Sequence, residues 1–267
     1  MSNEFKRPNT WPFGLIDYLL SNFFLERIIY YVLPSSLLIA PFIFFVMFKD
    51  SSFYFAKEAG LVEKITAIIL LLAVSLTVKT FLQYRQKNKI FFQAYMVEMP
   101  HAVYIRNWII IYAIGCIYFL GEEISWGQHI SNWATPEMWM TVNNQQETNL
   151  HNISALFDQL PRFILTTGII VTGFFLPILY RKKVHNHEKS SSLYEIILPG
   201  FNCIAAASTV FLISIHDKLY IFFGGDMPVF LKINDGEVKE SLIAMFLLVY
   251  IYEFNRRLKS YNLTNDK

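Results

Sequence analysis

The feature that most constrains this chain is the recurrence of long apolar segments along nearly its whole length. They cover about residues 28–48, 61–82, 103–120, 163–180, 194–215 and 241–254. About 20 apolar residues suffice for a helix to cross the hydrocarbon core of a bilayer, where each backbone polar group must be satisfied within the protein. The sequence therefore predicts an all-α fold, a polytopic membrane helix bundle of about six transmembrane helices with additional interfacial or re-entrant short helices.

The composition supports a single integral membrane domain over residues 1–267. The chain is 54% hydrophobic and 17% aromatic, with a mean hydropathy of +0.35, and interfacial Trp and Tyr are typical of membrane proteins. A net charge of +2 is too small to indicate nucleic-acid binding, so membrane lipids are the expected partners, and protein partners stay unknown. Cys116 and Cys203 lie inside apolar segments, which disfavours a structural disulfide.

The distribution of Lys and Arg predicts how the bundle is oriented. Basic residues are concentrated in residues 83–107, 181–193 and 255–267, whereas residues 121–161 contain none. Cytoplasmic connectors of membrane proteins carry the excess of Lys and Arg. We therefore expect a multi-pass plasma (bacterial inner) membrane protein with both termini in the cytoplasm. Residues 1–27 form a cytoplasmic or interfacial N-terminus that includes a short helix, residues 255–267 a cytoplasmic tail, and residues 121–161 a non-cytoplasmic functional loop.

The loop is unusually polar for a segment between two apolar helices. Between Gly121 and Asn152 it carries Glu122, Glu123, His129, Glu147 and His151. Ionisable residues at membrane depth are costly and usually functional. The Thr135-Pro136-Glu137 sequence indicates a helix start with threonine as N-cap, so we expect a pair of short interfacial or re-entrant helices.

Spacing within the loop favours a metal site. On a helix, Glu147 and His151 at i, i+4 present a carboxylate and an imidazole side by side. His216, followed by Asp217, ends the fifth span on the same side of the membrane. Glu147, His151 and His216 are therefore candidate ligands for a divalent metal with an open position for water, and the residue types suit zinc, iron or manganese.

Glu122, Glu123 and Glu147 are the candidate catalytic carboxylates, since a positioned carboxylate can carry general acid–base chemistry. If the third span continues as a helix, Glu122 shares a face with Trp126 and His129 while Glu123 points elsewhere. Further candidate site residues are Trp126, Gln128, His129, Asn149, Asn152 and Asp217. Three structural alternatives stay open: a solvated polar pair at residues 147 and 151, a helix cap at residues 122–123, and an ordinary helix end at residues 216–217.

The loop resembles a sequence motif found in a group of bacterial multi-pass inner-membrane proteins. The matching residues are Glu122, Glu123, Trp126 and Gln128 within GEEISWGQ, and Glu147, Asn149, His151 and Asn152 in the second half. The resemblance implies an inner-membrane protein whose polar loop is functional, and it implies no particular reaction. A more distant analogy is with alkaline-ceramidase-like hydrolases, whose paired H-x-x-x-H on a late span is replaced here by His216-Asp217 alone.

Three functions are compatible with these patterns. The favoured one is a metal-dependent membrane hydrolase or transferase acting on a lipid or lipid-linked substrate. The first alternative is a cation- or proton-coupled transporter or channel, whose acidic loop attracts cations. The second alternative is a non-catalytic membrane subunit whose loop binds a partner protein.

Overall fold

The structure is a computed structural model that describes residues 23–48, 60–92, 100–131, 133–143, 147–150, 153–179, 196–222 and 235–265. Within these ranges the regular structure is helical and contains no strand, which confirms the all-α class. The first three long helices are α1 (Phe23–Arg27, a π-helical turn Ile28–Val32, and Leu33–Met47), α2 (Leu61–Phe92) and α3 (Pro100–Glu123). Two short helices follow, α4 (Gln128–Ser131) and α5 (Glu137–Val142). The remainder are α6 (Ala155–Ile169, continued by π-helical Ile170–Phe175), α7 (Ile204–Phe222) and α8 (Asp235–Asn265).

Within the described ranges, four helices are long and apolar enough to cross a membrane. These segments are Leu25–Phe44, Leu61–Arg85, Val103–Glu123 and Gln159–Leu179. The fifth predicted span is a shorter apolar helix, Phe201–His216, preceded by a break at Pro199-Gly200. The sixth predicted span lies within α8, a long helix that does not meet the same apolar criterion because it carries several charged residues. The count of about six spanning helices is therefore not confirmed by helix length and composition.

Hydroxyl side chains in the apolar helices form hydrogen bonds with backbone carbonyls, as a lipid environment favours; among the described residues, the buried hydroxyl of Thr166 in α6 is an exception. In α1, Pro34 lies just after the π-helical turn, and such local adjustments accommodate proline in membrane helices. In α2, the hydroxyls of Thr66, Ser75, Thr77 and Thr80 each donate a hydrogen bond to the carbonyl four residues earlier. Large apolar side chains such as Ile68 and Leu71 lie exposed on the outside of the bundle, where hydrocarbon is their favourable surrounding.

Helix α8 forms the centre of the bundle. From Ser241 to Asn255 every residue except Leu248 is buried, and α8 packs against α1, α2, α6 and α7. A helix that is buried all round needs no single apolar face, and polar residues on it find partners on the surrounding helices. Asn255 donates a hydrogen bond of 2.9 Å to Thr80 of α2, for example.

One end of the bundle, which we call the basic end, joins the start of α1 to the last turns of α8. Glu253 accepts hydrogen bonds from the Tyr30 hydroxyl at 2.6 Å and from Asn202 Nδ2 at 3.2 Å. Arg256 forms a 3.0 Å ion pair with Glu26. The predicted tail at residues 255–267 is helical as far as Asn265, because α8 continues through it.

The opposite end, which we call the acidic end, brings together the start of α2, the end of α3 and the starts of α6 and α8. Arg162 of α6 forms a salt bridge with Glu240 of α8. The charges of Glu63 on α2 and Glu237 on α8 act on Glu123, the last residue of α3. The loop at residues 121–161 starts from this end.

Candidate functional site

Helix α3 ends in a strained turn at the acidic end. Ser125 and Trp126 have left-handed backbone conformations, with φ of 46° and 54°, and Gly127 follows with φ of 102°. A left-handed conformation costs a non-glycine residue about 1–2 kcal/mol, so such turns persist where surrounding contacts enforce them. The helical face that Glu122, Trp126 and His129 would share if α3 continued is not formed, because this turn separates Glu122 and Trp126 from His129 in α4. The side chain of His129 lies outside the described part of the structure.

The turn folds the Trp126 indole back onto α3. Its Nε1 donates a 2.7 Å hydrogen bond to Glu122 Oε1. The six-membered ring lies over Gly121, where an added Cβ would come within 2.9 Å of two ring carbons, and its edge faces Tyr118. Gly121 is therefore the residue that lets the indole lie flat on the helix.

The two halves of the sequence motif are hydrogen-bonded to each other. Glu122 Oε2 accepts the backbone N–H of Leu150 at 2.7 Å. Glu147 Oε2 accepts the Ser125 hydroxyl at 2.6 Å and Asn149 Nδ2 at 2.8 Å. Residues 147–150 form bends and no helix, so the predicted helical pairing of Glu147 with His151 is wrong over its described part. Side chains of residues 122–128 form hydrogen bonds with residues 147–150, and these bonds hold the backbone of residues 147–150 in bends.

Gln128 and Thr148 extend this network. Gln128 Oε1 accepts the backbone N–H and the hydroxyl of Thr148 at 2.9 and 3.0 Å. Its amide nitrogen donates to Thr135 Oγ1 at 2.7 Å. Helix α5 begins at Glu137, one residue later than the sequence predicts: Pro136 occupies the N-cap position in place of Thr135, and no side-chain hydrogen bond caps the helix.

Three residues of this network were missed from the sequence. Ser125 and Asn143 are buried, and Asn143 Nδ2 donates to both the backbone and the side-chain oxygen of Asn149 at 2.8 Å. Thr148 donates to the Ser125 carbonyl at 2.9 Å. Small polar residues give no signal in a sequence until their partners are known. We call residues 121–131, 133–143 and 147–150, which these hydrogen bonds connect, the cap.

Glu123 belongs to a different environment from Glu122. It is buried, and its carboxylate interacts electrostatically with Glu240, Glu237 and Glu63 and with the Arg162 guanidinium. The two adjacent carboxylates of α3 thus have different roles. Glu122 accepts hydrogen bonds within the cap, whereas Glu123 lies near the charged residues at the starts of α2, α6 and α8.

The proposed metal ligands are placed only in part. His216 is buried near the end of α7, where its ring meets Phe42 of α1 edge-on at 5.6 Å between centroids. Asp217 follows it in α7, and its side chain is outside the described part of the structure, as are His151 and Asn152 altogether. Among the side chains that are described, no three His, Cys, Asp or Glu residues are grouped so that they could hold a metal ion. The ligand set of Glu147, His151 and His216 thus stays a prediction.

Comparison of the chain with protein-family models, with curated proteins and with solved structures finds no match. The resemblance of the cap to bacterial inner-membrane proteins therefore stays an expectation.

The cap presents apolar side chains outward from its polar interior. Trp126 is 48% exposed although its nitrogen is bound, and Met138 is 76% exposed. Further exposed residues on the same segment are Ile130, Trp133, Met140 and Val142. A cluster of exposed Trp, Ile and Met on short helices suits the boundary between headgroups and acyl chains.

Proposed function

We propose that this chain is an inner-membrane protein of about six spans, with both termini in the cytoplasm, whose cap binds a lipid or lipid-linked substrate at the non-cytoplasmic face. The observation that carries the proposal is the cap's construction. The strained turn at residues 125–127 and the hydrogen bonds accepted by Glu122 and Glu147 hold the exposed Trp126 indole in one orientation.

The two ends of the bundle support the orientation. The 3.0 Å contact of Arg256 with Glu26 brings the start of α1 and the last turns of α8 to one end, as an even number of spans requires. That end is rich in basic residues, and the cap lies at the other. Basic residues are typical of the cytoplasmic side, so the cap is assigned to the non-cytoplasmic face.

The hydrogen bonds of the cap support a binding role. Both oxygens of Glu122 accept hydrogen bonds from within the protein, at Trp126 and Leu150. These interactions fix the cap before any ligand arrives, and preorganisation reduces the entropy lost on binding. The indole of Trp126 then offers a flat, rigid surface to a lipid.

Lipid binding by the cap is tested with the purified full-length protein and two aromatic substitutions. We expect Trp126→Ala to lose lipids that native mass spectrometry finds on the unmodified protein. The matched control is Tyr104→Ala, which removes an exposed aromatic from the opposite end of the same helix, α3. Equal lipid retention by the two variants would contradict the proposal.

Hydrolase or transferase chemistry extends this proposal and has a separate test. The predicted metal ligands are Glu147, His151 and His216. Elemental analysis of the purified protein should find zinc, iron or manganese at about one ion per chain, and His151→Ala should lose it. If the purified protein contains no metal, the proposal of a metal-dependent reaction is wrong, while the proposal of lipid binding is unaffected.

A second candidate function, cation- or proton-coupled transport, is favoured by the surroundings of Glu123. The negative charges of Glu240, Glu237 and Glu63 and the positive charge of Arg162 all act on the buried Glu123 carboxyl group. A buried ionisable side chain such as Glu123 at the end of a candidate span is typical of functional positions in membrane proteins, including proton and cation pathways.

Flux through proteoliposomes tests this candidate. Transport predicts that Glu123→Gln abolishes cation or proton flux. Glu137→Gln, at an exposed position in the first turn of α5, should leave it unchanged. If the unmodified protein shows no flux above empty liposomes, the transport candidate fails.

A further inference from the structure

A cavity of about 360 Å³ lies between α3, α6 and α8. Its walls include Tyr112 and Gly115 of α3, Gly168 of α6, and Phe246 of α8, and the segment at residues 197–199 closes one side. The volume falls within the range of roughly 300–1,000 Å³ that is typical of small-molecule pockets. The cavity is separate from the hydrogen-bonded cap.

Polar side chains in the wall are already paired with the protein. Trp108 Nε1 donates to the Tyr250 hydroxyl at 2.6 Å, and that hydroxyl donates to the Ile197 carbonyl. The Tyr112 hydroxyl donates to the Leu247 carbonyl at 2.6 Å. With these donors used, the remaining wall is almost entirely carbon. An apolar ligand fits this surface, because a polar one would lose its hydrogen bonds to water without replacement.

The cavity lies at the middle of the membrane and is open to it. Gly115 is near the centre of the candidate span Val103–Glu123, and Gly168 is near the centre of Gln159–Leu179. Both glycines are exposed, and a Cβ added to either would meet no atom within 4 Å. Ile114 and Ile164 beside them are exposed apolar side chains. The opening between α3 and α6 therefore faces the hydrocarbon core.

We infer that this cavity holds one hydrocarbon chain of a membrane lipid, which enters from the bilayer between α3 and α6. The inference deepens the proposed function, on whose membrane placement it rests. The bilayer supplies such chains at this depth. The empty space at two mid-span glycines matches an unbranched chain that passes between helices, and the absence of free donors in the described wall leaves a headgroup no partner there.

Photolabelling of the full-length protein in nanodiscs tests the inference. The probe is a phosphatidylcholine with a diazirine near the terminal methyl of one acyl chain, so that it reacts at mid-membrane depth. We expect cross-links on α3 and α6 at the cavity wall, and we expect Gly115→Leu and Gly168→Leu to abolish them by filling the space. Unchanged labelling in both leucine variants, or labelling spread evenly over all lipid-facing helices, would overturn the inference.

Two further variants guard against misfolding and surface effects. Gly168→Ala adds only a Cβ, for which the structure has room, and should reduce labelling while the protein folds normally. Ile111→Phe enlarges an exposed residue of α3 that does not line the cavity, and it should retain full labelling.

The same experiment separates other occupants and the proposed function. Cross-links between two copies of the chain at α3 or α6 would show that a second copy fills the opening, and the inference would be wrong. Trp126→Ala should lose cap-bound lipid and keep the mid-span label if both proposals hold. If the leucine variants lose the mid-span label while Trp126→Ala retains its cap-bound lipid in native mass spectrometry, the cavity is supported and lipid binding by the cap is refuted.

Discussion

At the scale of single residues, Glu122 connects two segments that are far apart in the sequence. One oxygen holds the Trp126 indole four residues later, and the other holds the Leu150 backbone 28 residues later. A carboxylate can accept at both oxygens, whereas an amide offers one acceptor and two donors. At this position a carboxylate can therefore accept both hydrogen bonds, whereas an amide can accept only one of them.

Glu122→Gln should destabilise the cap. The substitution leaves either the Trp126 nitrogen or the Leu150 nitrogen facing an amide donor, and an unsatisfied buried donor costs about 1–3 kcal/mol. We expect a lower midpoint in thermal unfolding and, with the other four tryptophans replaced by phenylalanine so that only Trp126 fluoresces, a lower fluorescence anisotropy of its indole. Glu137→Gln at the exposed start of α5 is the control and should match the unmodified protein. Unchanged stability and anisotropy in Glu122→Gln would show that the carboxylate does not hold the cap.

At the scale of helices, the bundle depends on one close approach between α6, α7 and α8. A Cβ added at Gly173 would lie 2.7 Å from the Phe246 ring and 3.0 Å from the Ala207 Cβ. The Ala207 backbone position is fixed within α7, so a larger residue would push the helices apart. Gly168, five residues earlier on α6, has free space instead.

Gly173→Ala and Gly168→Ala should therefore have opposite effects on stability. Overpacking at residue 173 should cost about 1–3 kcal/mol. Alanine at residue 168 should stabilise the helix by up to about 1 kcal/mol, because it removes the conformational freedom of glycine. Thermal unfolding of both variants in the same detergent checks the sign. Equal effects would mean that the contact with Phe246 does not limit the packing.

The apolar helices could be predicted from the sequence because hydropathy is a local property of about 20 residues. Helix α8 could be recognised only as an apolar segment of about 14 residues, since its ends carry Glu240, Glu253 and Arg256, whose partners lie on other helices. The sequence predicts a polar segment with candidate carboxylates at residues 121–152, but the helix that would pair Glu147 with His151 is not formed at residues 147–150. Glu147 bonds to Ser125, and no local rule pairs residues that lie 22 positions apart.

At the scale of the whole molecule, the two cysteines allow a direct test of topology. Cys116 and Cys203 are unpaired and buried, so a polar maleimide should not reach them in the folded protein. New cysteines at Met138 on the cap and at Lys259 near the end of α8 would then report the two faces separately.

A membrane-impermeant maleimide should label Met138→Cys in right-side-out bacterial membranes and should label Lys259→Cys only after permeabilisation. The physical reason is that the proposed orientation puts the cap outside and the end of α8 in the cytoplasm. The unmodified protein controls for reaction at the native cysteines. Labelling of Lys259→Cys alone in sealed membranes would reverse the orientation, and labelling of both variants would contradict the three spans proposed between the cap and the end of α8.

The ion pair between Arg256 and Glu26 joins residues that are 230 positions apart, and this separation affects how the protein is made. At about 5–20 residues per second, a ribosome needs roughly 10–50 s to reach Arg256 after Glu26 has emerged. During that interval α1 lies in the bilayer without α8, to which it is joined at the basic end by Tyr30–Glu253 and Glu26–Arg256. Only a small share of the span Leu25–Phe44 is buried even in the finished bundle. The first helix is thus suited to residence among lipids until the last helix is synthesised and completes the assembly.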